Sequence, residues 1–240
     1  MEQDRAKQIQ TMFSRITRRY DLMNRVMTGG LDGGWRKTTA AQLNLKDGGR
    51  VLDLATGTGD LAFAVRERFP TAHVVAADFS ETILREGARK AALRSDKEYY
   101  EWAVGDALSL SYPDATFDAC TNAFLLRNAV DLRRCLCEMM RVVKPGGQVV
   151  CMEITHPQTP VFKQLFTLYF YKIVPLIGGV IAGDPKAYSY LPNSLSKFPP
   201  AKPLKAVMEE VGYKNVYYKL MGGGVMAVHV GTVPLSAVKQ

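Results

Sequence analysis

Asp53, the pair Gly57 and Gly59, and Asp78 are the residues whose types and spacing carry the clearest chemistry. Val51-Leu52-Asp53-Leu54-Ala55 is an apolar run of strand length. It is followed by Thr56-Gly57-Thr58-Gly59-Asp60 and a helical pattern to about Phe69. Two glycines between a strand and a helix let the backbone pass close to a ligand. The start of that helix presents unpaired N–H groups and partial positive charge. About twenty residues beyond Gly59, Asp78 closes a second apolar run, His73 to Ala77, where a carboxylate can accept hydrogen bonds from both hydroxyls of a ribose. The spacing points to a nucleoside-containing cofactor at the carboxyl edge of a sheet.

The loop alone does not choose the cofactor, because Gly57-x-Gly59-x-x-Ala62 also satisfies a relaxed dinucleotide fingerprint. Three further features separate the alternatives. Asp53 lies inside the first strand, where a carboxylate repels a pyrophosphate and attracts an ammonium group. Gly105-Asp106-Ala107 follows a third strand, and an Asp there can accept from an adenine amino group. Lys144-Pro145-Gly146-Gly147 precedes a fifth. Together these resemble the class I S-adenosylmethionine-dependent methyltransferases. The resemblance implies cofactor binding by Asp53, Thr56, Gly57, Thr58, Gly59, Asp78, Phe79, Asp106, Ala107 and Ala123, with Asp60 a further acid for the cationic amino acid end. Each position also has a plainer use. The glycines can serve only a tight turn, Asp53 a buried hydrogen-bond hub, and Asp60 and Asp78 the start of a helix.

The elements that must hold these residues alternate. Strands are expected at 51–55, 73–77, around Tyr99–Val104, 117–122 and 148–154. Helices are expected over 60–69, from Ser80 as cap to about Arg94, and over about 132–143, with Lys144 to Gly147 a tight turn. Such alternation predicts an α/β fold, Rossmann-like, with a mostly parallel sheet covered by helices on both faces. Ahead of it, residues 1–49 read as an N-terminal helical cap, with one helical stretch from Trp35 to about Leu45. After the cofactor-binding core of 50–154 comes an apolar lid insertion, 155–203. Its stretch 161–182 contains Lys163, Lys172 and Pro175, which argue against a membrane span. Residues 204–240 read as a helix followed by an antiparallel hairpin about Gly222-Gly223-Gly224, completing seven strands in one domain. His229 falls within that hairpin and reads as a packed structural histidine.

Beyond the cofactor loop the match narrows. Met12 to Ile16, Arg19 to Asn24, Gly30-Leu31-Asp32 and Trp35-Arg36 resemble the N-terminal signature of the UbiE/MenG quinone-biosynthesis C-methyltransferases. Phe124-Leu125-Leu126-Arg127-Asn128 is similar to that family's Phe-Gly-Leu-Arg-Asn segment, with Leu125 in place of Gly. Pro175 to Gly179, Tyr188 to Pro192 and the Gly-Gly-Gly hairpin match as well, whereas Ile154-Thr155-His156-Pro157 departs from the usual Phe-Ser-Lys-Pro-like run. The resemblance implies methyl transfer to a ring carbon of a prenylated benzoquinol or naphthoquinol. Arg127 would stabilise a phenolate, Asn128 would hydrogen-bond the quinol oxygen and Tyr20 would close over the pocket. Tyr188 and Tyr190 would line the ring pocket. Against these stand an Arg127 paired with a structural acid, an Asn128 capping a helix and an Asp21 doing the same.

The 240 residues carry a formal net charge of +8. The excess sits on the two ends of the chain, around a slightly acidic middle. With the apolar 161–182 stretch, that distribution suits an anionic membrane surface better than nucleic acid, for which no basic stripe with interleaved aromatics is present. The polar N-terminus argues against a secretory signal. Cys120, Cys135, Cys137 and Cys151 have no disulfide or metal spacing, so a reducing compartment and no metal are expected. The resulting expectation is a cytoplasmic protein peripheral on the inner membrane, or on the matrix side of a mitochondrion, as a homodimer or part of a quinone-biosynthesis complex. The competing classes are a nucleic-acid or other small-molecule methyltransferase, a nicotinamide oxidoreductase and a non-catalytic binding subunit.

Overall fold

A computed structural model describes residues 21–22, 24–157, 160–169, 173–174 and 194–235. Seven strands form one sheet: β1 (Arg50–Leu54), β2 (His73–Asp78), β3 (Tyr100–Val104), β4 (Phe117–Ala123), β5 (Val143–Ile154), β6 (Lys214–Met221) and β7 (Met226–Thr232), in the order β3-β2-β1-β4-β5-β7-β6. Pairing is parallel from β3 through β5. β7 is antiparallel to both of its neighbours, so the expected C-terminal hairpin joins the sheet by its second strand.

Alternation along the strands builds two cores, because successive side chains point to opposite faces. Leu52 and Leu54 pack on one face with Cys120, Cys151, Leu136 and Met139. Val51, Val74 and Ala76 pack on the other with Phe63, Val65 and Ala40. Helices α1 (Asp32–Ala40), α2 (Asp60–Arg68) and α3 (Glu81–Ala91) supply the second face. Helices α4 (Leu132–Val142) and α6 (Ala201–Val211) supply the first, and α5 (Pro160–Leu168) follows β5. α6 begins at Ala201, ahead of the boundary at 204 expected for it, so Pro203 falls within its first turn. Its first-turn position tolerates proline because the N–H there has no helical partner anyway.

Three local expectations differ from the structure. The helical stretch expected from Trp35 to about Leu45 runs from Asp32 to Ala40 instead. Ser80 occupies the N-cap position of α3 without a capping bond from its side chain. Lys144 to Gly147 is not a turn that precedes β5 but an excursion within it. Phe117 pairs with Val143 and Ala119 with Gln148, so the intervening residues bulge from the ladder. Gly146 takes φ +81°, and a Cβ on Gly147 would lie 2.5 Å from the Asp118 carbonyl oxygen, so the close approach depends on glycine. Lys144 ties the bulge down through Asp118 at 2.7 Å.

The order β2-β1-β4 places the topological switch point between β1 and β4. In such sheets the crevice beyond the carboxyl ends of those strands receives ligands. By register Leu54 stands beside Ala77 and Asn122, and Asp78 beside Val104, so the candidate residues that follow these strands share that edge.

Candidate functional site

The loop after β1 is shaped by left-handed backbone. Ala55, Gly57 and Gly59 have φ of 54°, 59° and 86°. Gly59 is the N-cap of α2, and a Cβ there would lie 2.7 Å from the Trp102 indole, so both its conformation and its neighbour require glycine. The loop is tied to β2 by Thr56 N donating to Ala77 O at 3.0 Å and by Gly57 N donating to Asp78 Oδ2 at 2.9 Å. Asp78 Oδ1 accepts from Ser80 N at 2.9 Å. Backbone N–H groups of Gly57, Phe79 and Ser80 thus fix the carboxylate, which keeps acceptor capacity for a hydroxyl. Burial pushes its pKa above the ordinary carboxylate value, against the pull of those N–H groups. Beside it Phe79 is exposed, and Gly105 N donates to Asp78 O at 3.0 Å. Asp106 and Ala107 come next, Asp106 Oδ1 accepting from Leu108 N at 2.9 Å.

Asp53 is fully buried. Thr56 Oγ1 donates to its Oδ2 at 2.6 Å and Thr121 Oγ1 to its Oδ1 at 2.8 Å. Desolvation outweighs these bonds and the field of Arg36, so its pKa rises to about 6. It lines a small pocket with Thr56, Gly57, Thr58, Asp60 and Arg36, closed by Ala123 and Phe124 at the end of β4. Phe124 holds φ +64°, a left-handed conformation that costs a bulky residue about 1–3 kcal/mol. That backbone turns the ring beneath two guanidinium groups, Arg36 at 5.7 Å and Arg127 at 5.0 Å.

Charge is arranged around this loop in a way the sequence did not show. Lys90, on α3, donates to Asp60 Oδ1 at 2.5 Å, Asp21 Oδ2 at 2.8 Å and Thr58 Oγ1 at 3.2 Å, and Thr58 Oγ1 donates to Asp21 Oδ1 at 2.6 Å. Asp21, expected as a possible cap, fastens the segment before α1 to the glycine loop. Asp60 likewise serves a tertiary ion pair as well as the start of α2. Arg36 is buried, with Asp32 Oδ2 at 3.6 Å and Asp60 Oδ2 at 3.9 Å, and neither its Nε nor its Nη1 has a hydrogen-bond partner among the described residues.

Just past β4, Arg127 is buried against Glu153 of β5. Its Nη1 donates to Glu153 Oε1, and its backbone N donates to Glu153 Oε2 at 3.2 Å. The expectation of a guanidinium reserved for a phenolate must therefore include a buried counter-ion. Asn128 Nδ2 donates to Phe124 O at 2.9 Å, and Asp131, not Asn128, caps α4 by accepting from Arg134 N. Tyr20, Tyr188 and Tyr190 lie outside the described residues, as do Met12 to Arg19 and Pro175 to Gly179. His229 is buried, its Nε2 2.8 Å from Ala201 O, and burial lowers its pKa to about 4, which agrees with a structural histidine.

The structure thus gathers Asp53, Thr56, Gly57, Thr58 and Ala123 into one pocket, joins Asp78 to it through Gly57, and places Phe79, Asp106 and Ala107 along the same edge. Arg36, Lys90 and Glu153 are the residues the sequence reading missed. Arg36 had a signal in the Trp35-Arg36 pair, one helical turn after Asp32. Lys90 and Glu153 had none, since their partners are distant in sequence.

A model of the ubiE/COQ5 methyltransferase family matches residues 1–233. The demethylmenaquinone methyltransferase of Thermus thermophilus is 44% identical over 223 residues, spanning 93% of this chain and 100% of that protein. The ubiquinone/menaquinone biosynthesis C-methyltransferase UbiE of Geobacter sulfurreducens is 37% identical over 229 residues, 95% of this chain and 89% of that one. A solved Thermotoga maritima structure, described as a SAM-dependent methyltransferase and possible histamine N-methyltransferase, shares the fold with a TM-score of 0.65 at 18% identity, covering 93% of this chain and 99% of its own. With a family model spanning nearly its whole length and relatives this similar over nearly all of it, the chain belongs to the ubiE/COQ5 methyltransferase family.

Proposed function

We propose that the protein transfers a methyl group from S-adenosylmethionine to a ring carbon of a prenylated quinol, a demethylmenaquinol or the corresponding benzoquinol. The observation that carries the cofactor assignment is Asp53: a fully buried carboxylate lining the glycine-loop pocket, whose ionisation is penalised until a cation arrives. A pyrophosphate would worsen that penalty, and a cationic amino acid end relieves it. The donor set fits the rest of the cofactor. Asp78 has acceptor capacity for ribose hydroxyls, Phe79 offers an exposed ring beside it, and Asp106 can accept from an adenine amino group.

When bound, S-adenosylmethionine supplies an electrophilic methyl group. The protein's own contribution is position and charge. The glycine loop holds the amino acid end, and Asp78 fixes the nucleoside by the ribose. Arg127, set in place by Glu153 and Phe124, and Asn128, held by Phe124 O, meet the quinol oxygen. There they favour loss of its proton, which makes the neighbouring ring carbon nucleophilic. Because Glu153 offsets the charge of Arg127, we assign the arginine the task of orienting and hydrogen-bonding the oxygen more than that of supplying a full positive field. Tyr20, Tyr188 and Tyr190 are assigned to closure and to the ring pocket.

The basic ends of the chain and the apolar stretch that contains α5 would rest on an anionic leaflet from which the prenyl tail enters. Among the described residues no helix is long and apolar enough to cross a membrane. Mass spectrometry of the cellular quinone pool after deletion of the gene tests the assignment. Accumulation of a quinone lacking one ring methyl is expected, and an unchanged pool would overturn it.

A further inference from the structure

Arg36 is the buried charge whose own bonds explain it least. It extends from α1 into the pocket lined by Asp53, Thr56, Gly57, Thr58 and Asp60, with only 7% of its side chain exposed. Two acids compensate its charge, Asp32 at 3.6 Å from Nη1 and Asp60 at 3.9 Å from Nε, yet neither lies within hydrogen-bond distance. Nε and Nη1 are both buried and without a hydrogen-bond partner among the described residues. Leaving such donors unmade is costly, more so on a charged group, so native proteins keep few of them. The position is also held firmly. Asp32 accepts from Thr28 Oγ1 at 3.3 Å, Phe124 lies under the guanidinium at 5.7 Å, and Trp35 next to it packs against Gly222 in the β6–β7 turn. Nε and Nη1 lie on different edges of the guanidinium, each turned toward one of the acids, so a carboxylate in the pocket would take Nη2 together with one of them, the pairs that can give two N–H bonds side by side.

We propose that Arg36 anchors the α-carboxylate of the amino acid end of the cofactor, opposite the acids that receive its ammonium group. The inference rests on the cofactor reading above and deepens it. The pocket then recognises a zwitterion by sign. Asp53 and Asp60 attract the cationic end, Arg36 attracts the anionic end, and Asp32 offsets the charge of the arginine while the pocket is open. The same arrangement explains why a methyltransferase pocket built around acids also buries an arginine. Without a carboxylate to meet, that side chain would only weaken cation binding.

The test is calorimetric binding to the full chain of four adenosyl ligands, two with the carboxylate and two without: S-adenosylmethionine, S-adenosylhomocysteine, decarboxylated S-adenosylmethionine and 5′-methylthioadenosine. Arg36→Gln is expected to weaken the two carboxylate-bearing ligands about 10- to 100-fold, the range for lost hydrogen bonds to a charged group. The two ligands lacking the carboxylate should change less than about twofold. Arg36→Lys keeps the charge beside Asp32 and Asp60 and loses the fork. It should recover part of the affinity, and it carries the test if the glutamine variant does not fold. Equal loss for all four ligands would make Arg36 a structural residue and overturn the proposal, as would unchanged binding of all four. If the unaltered chain binds none of the four, the cofactor reading itself fails and the proposal with it.

Discussion

Asp53→Asn should make the cofactor-free protein more stable at neutral pH while making it a worse cofactor binder. Burial raises the Asp53 pKa from 3.8 to about 6. The native state therefore holds that proton more tightly than the unfolded chain, and the sign follows from linkage: the native state loses stability as pH rises through this interval, and the full loss is present above it. A shift of this size corresponds to about 3 kcal/mol at pH 7, at about 1.4 kcal/mol per unit, and to about 1 kcal/mol at pH 4.5. Asparagine is the neutral isostere. It keeps an acceptor for one of the two threonine hydroxyls and must rearrange the other bond, at a cost of about 1 kcal/mol. The net expectation is a gain of about 2 kcal/mol at pH 7, or about 4–8 °C in Tm for a chain of this size. The gain should disappear near pH 4.5. Differential scanning calorimetry of both proteins at the two pH values reads it directly, and titration calorimetry with S-adenosylmethionine should show at least about tenfold weaker binding for the variant, the scale of one lost charged interaction. A variant with the same or lower Tm at pH 7, and no dependence of the difference on pH, would refute the reasoning. Asp53 would then be a satisfied structural hub with no electrostatic debt for a ligand to relieve.

Other outcomes follow from the same geometry. Asp78→Ala removes the acceptor assigned to the ribose and should weaken cofactor binding by about 1–3 kcal/mol in a titration; unchanged affinity would free Asp78 for a purely local role at Gly57 and Ser80. Arg127→Ala strands Glu153 in the core, so a loss of about 3–5 kcal/mol in urea unfolding should accompany the fall in turnover. Cofactor affinity of the folded fraction should stay near that of the parent, and turnover equal to the parent's would remove Arg127 from the mechanism. His229 titrates in the opposite sense to Asp53. Its pKa falls from 6.5 to about 4 on folding, so the unfolded chain binds the extra proton and stability is lost as pH drops through that window. His229→Gln should flatten this part of the stability profile, and an unaltered profile would contradict the burial argument.

What was legible in the sequence was what is local. β1, the Thr56–Gly59 loop, α2 and Asp78 form one βαβ unit, and each part is specified by residues within a few positions of it. The Lys144–Gly147 excursion was misjudged because the same Pro-Gly-Gly chemistry serves a turn or a bulge. The choice is made by pairing with Phe117 and Ala119 and by the approach of Gly147 to Asp118, which the run of residues does not encode. The site divides in the same way. Asp53 and the glycines could be read from order and spacing alone. Lys90 reaching Asp60 and Asp21, and Glu153 reaching Arg127, join residues brought together only when α3 and β5 take their places on the sheet. The charge balance also changed meaning. The middle of the chain is only slightly acidic overall, yet at the glycine loop it concentrates Asp53 and Asp60 opposite Arg36 and Lys90. Local pairing there says more about the cofactor than the net +8 does.

The central claim is ring-carbon methylation of a quinol by S-adenosylmethionine, and a labelled transfer assay tests it most directly. Purified protein would be incubated with S-adenosylmethionine bearing a trideuterated methyl group and with a short-chain demethylmenaquinol or demethylated benzoquinol kept reduced. The product would be read by tandem mass spectrometry. The account predicts one trideuteromethyl group on the ring carbon, and none when the quinone is left oxidised, because only the hydroxyl form can become nucleophilic. Label on an oxygen, or no label on any naphthoquinol or benzoquinol while calorimetry shows the cofactor bound, would contradict it.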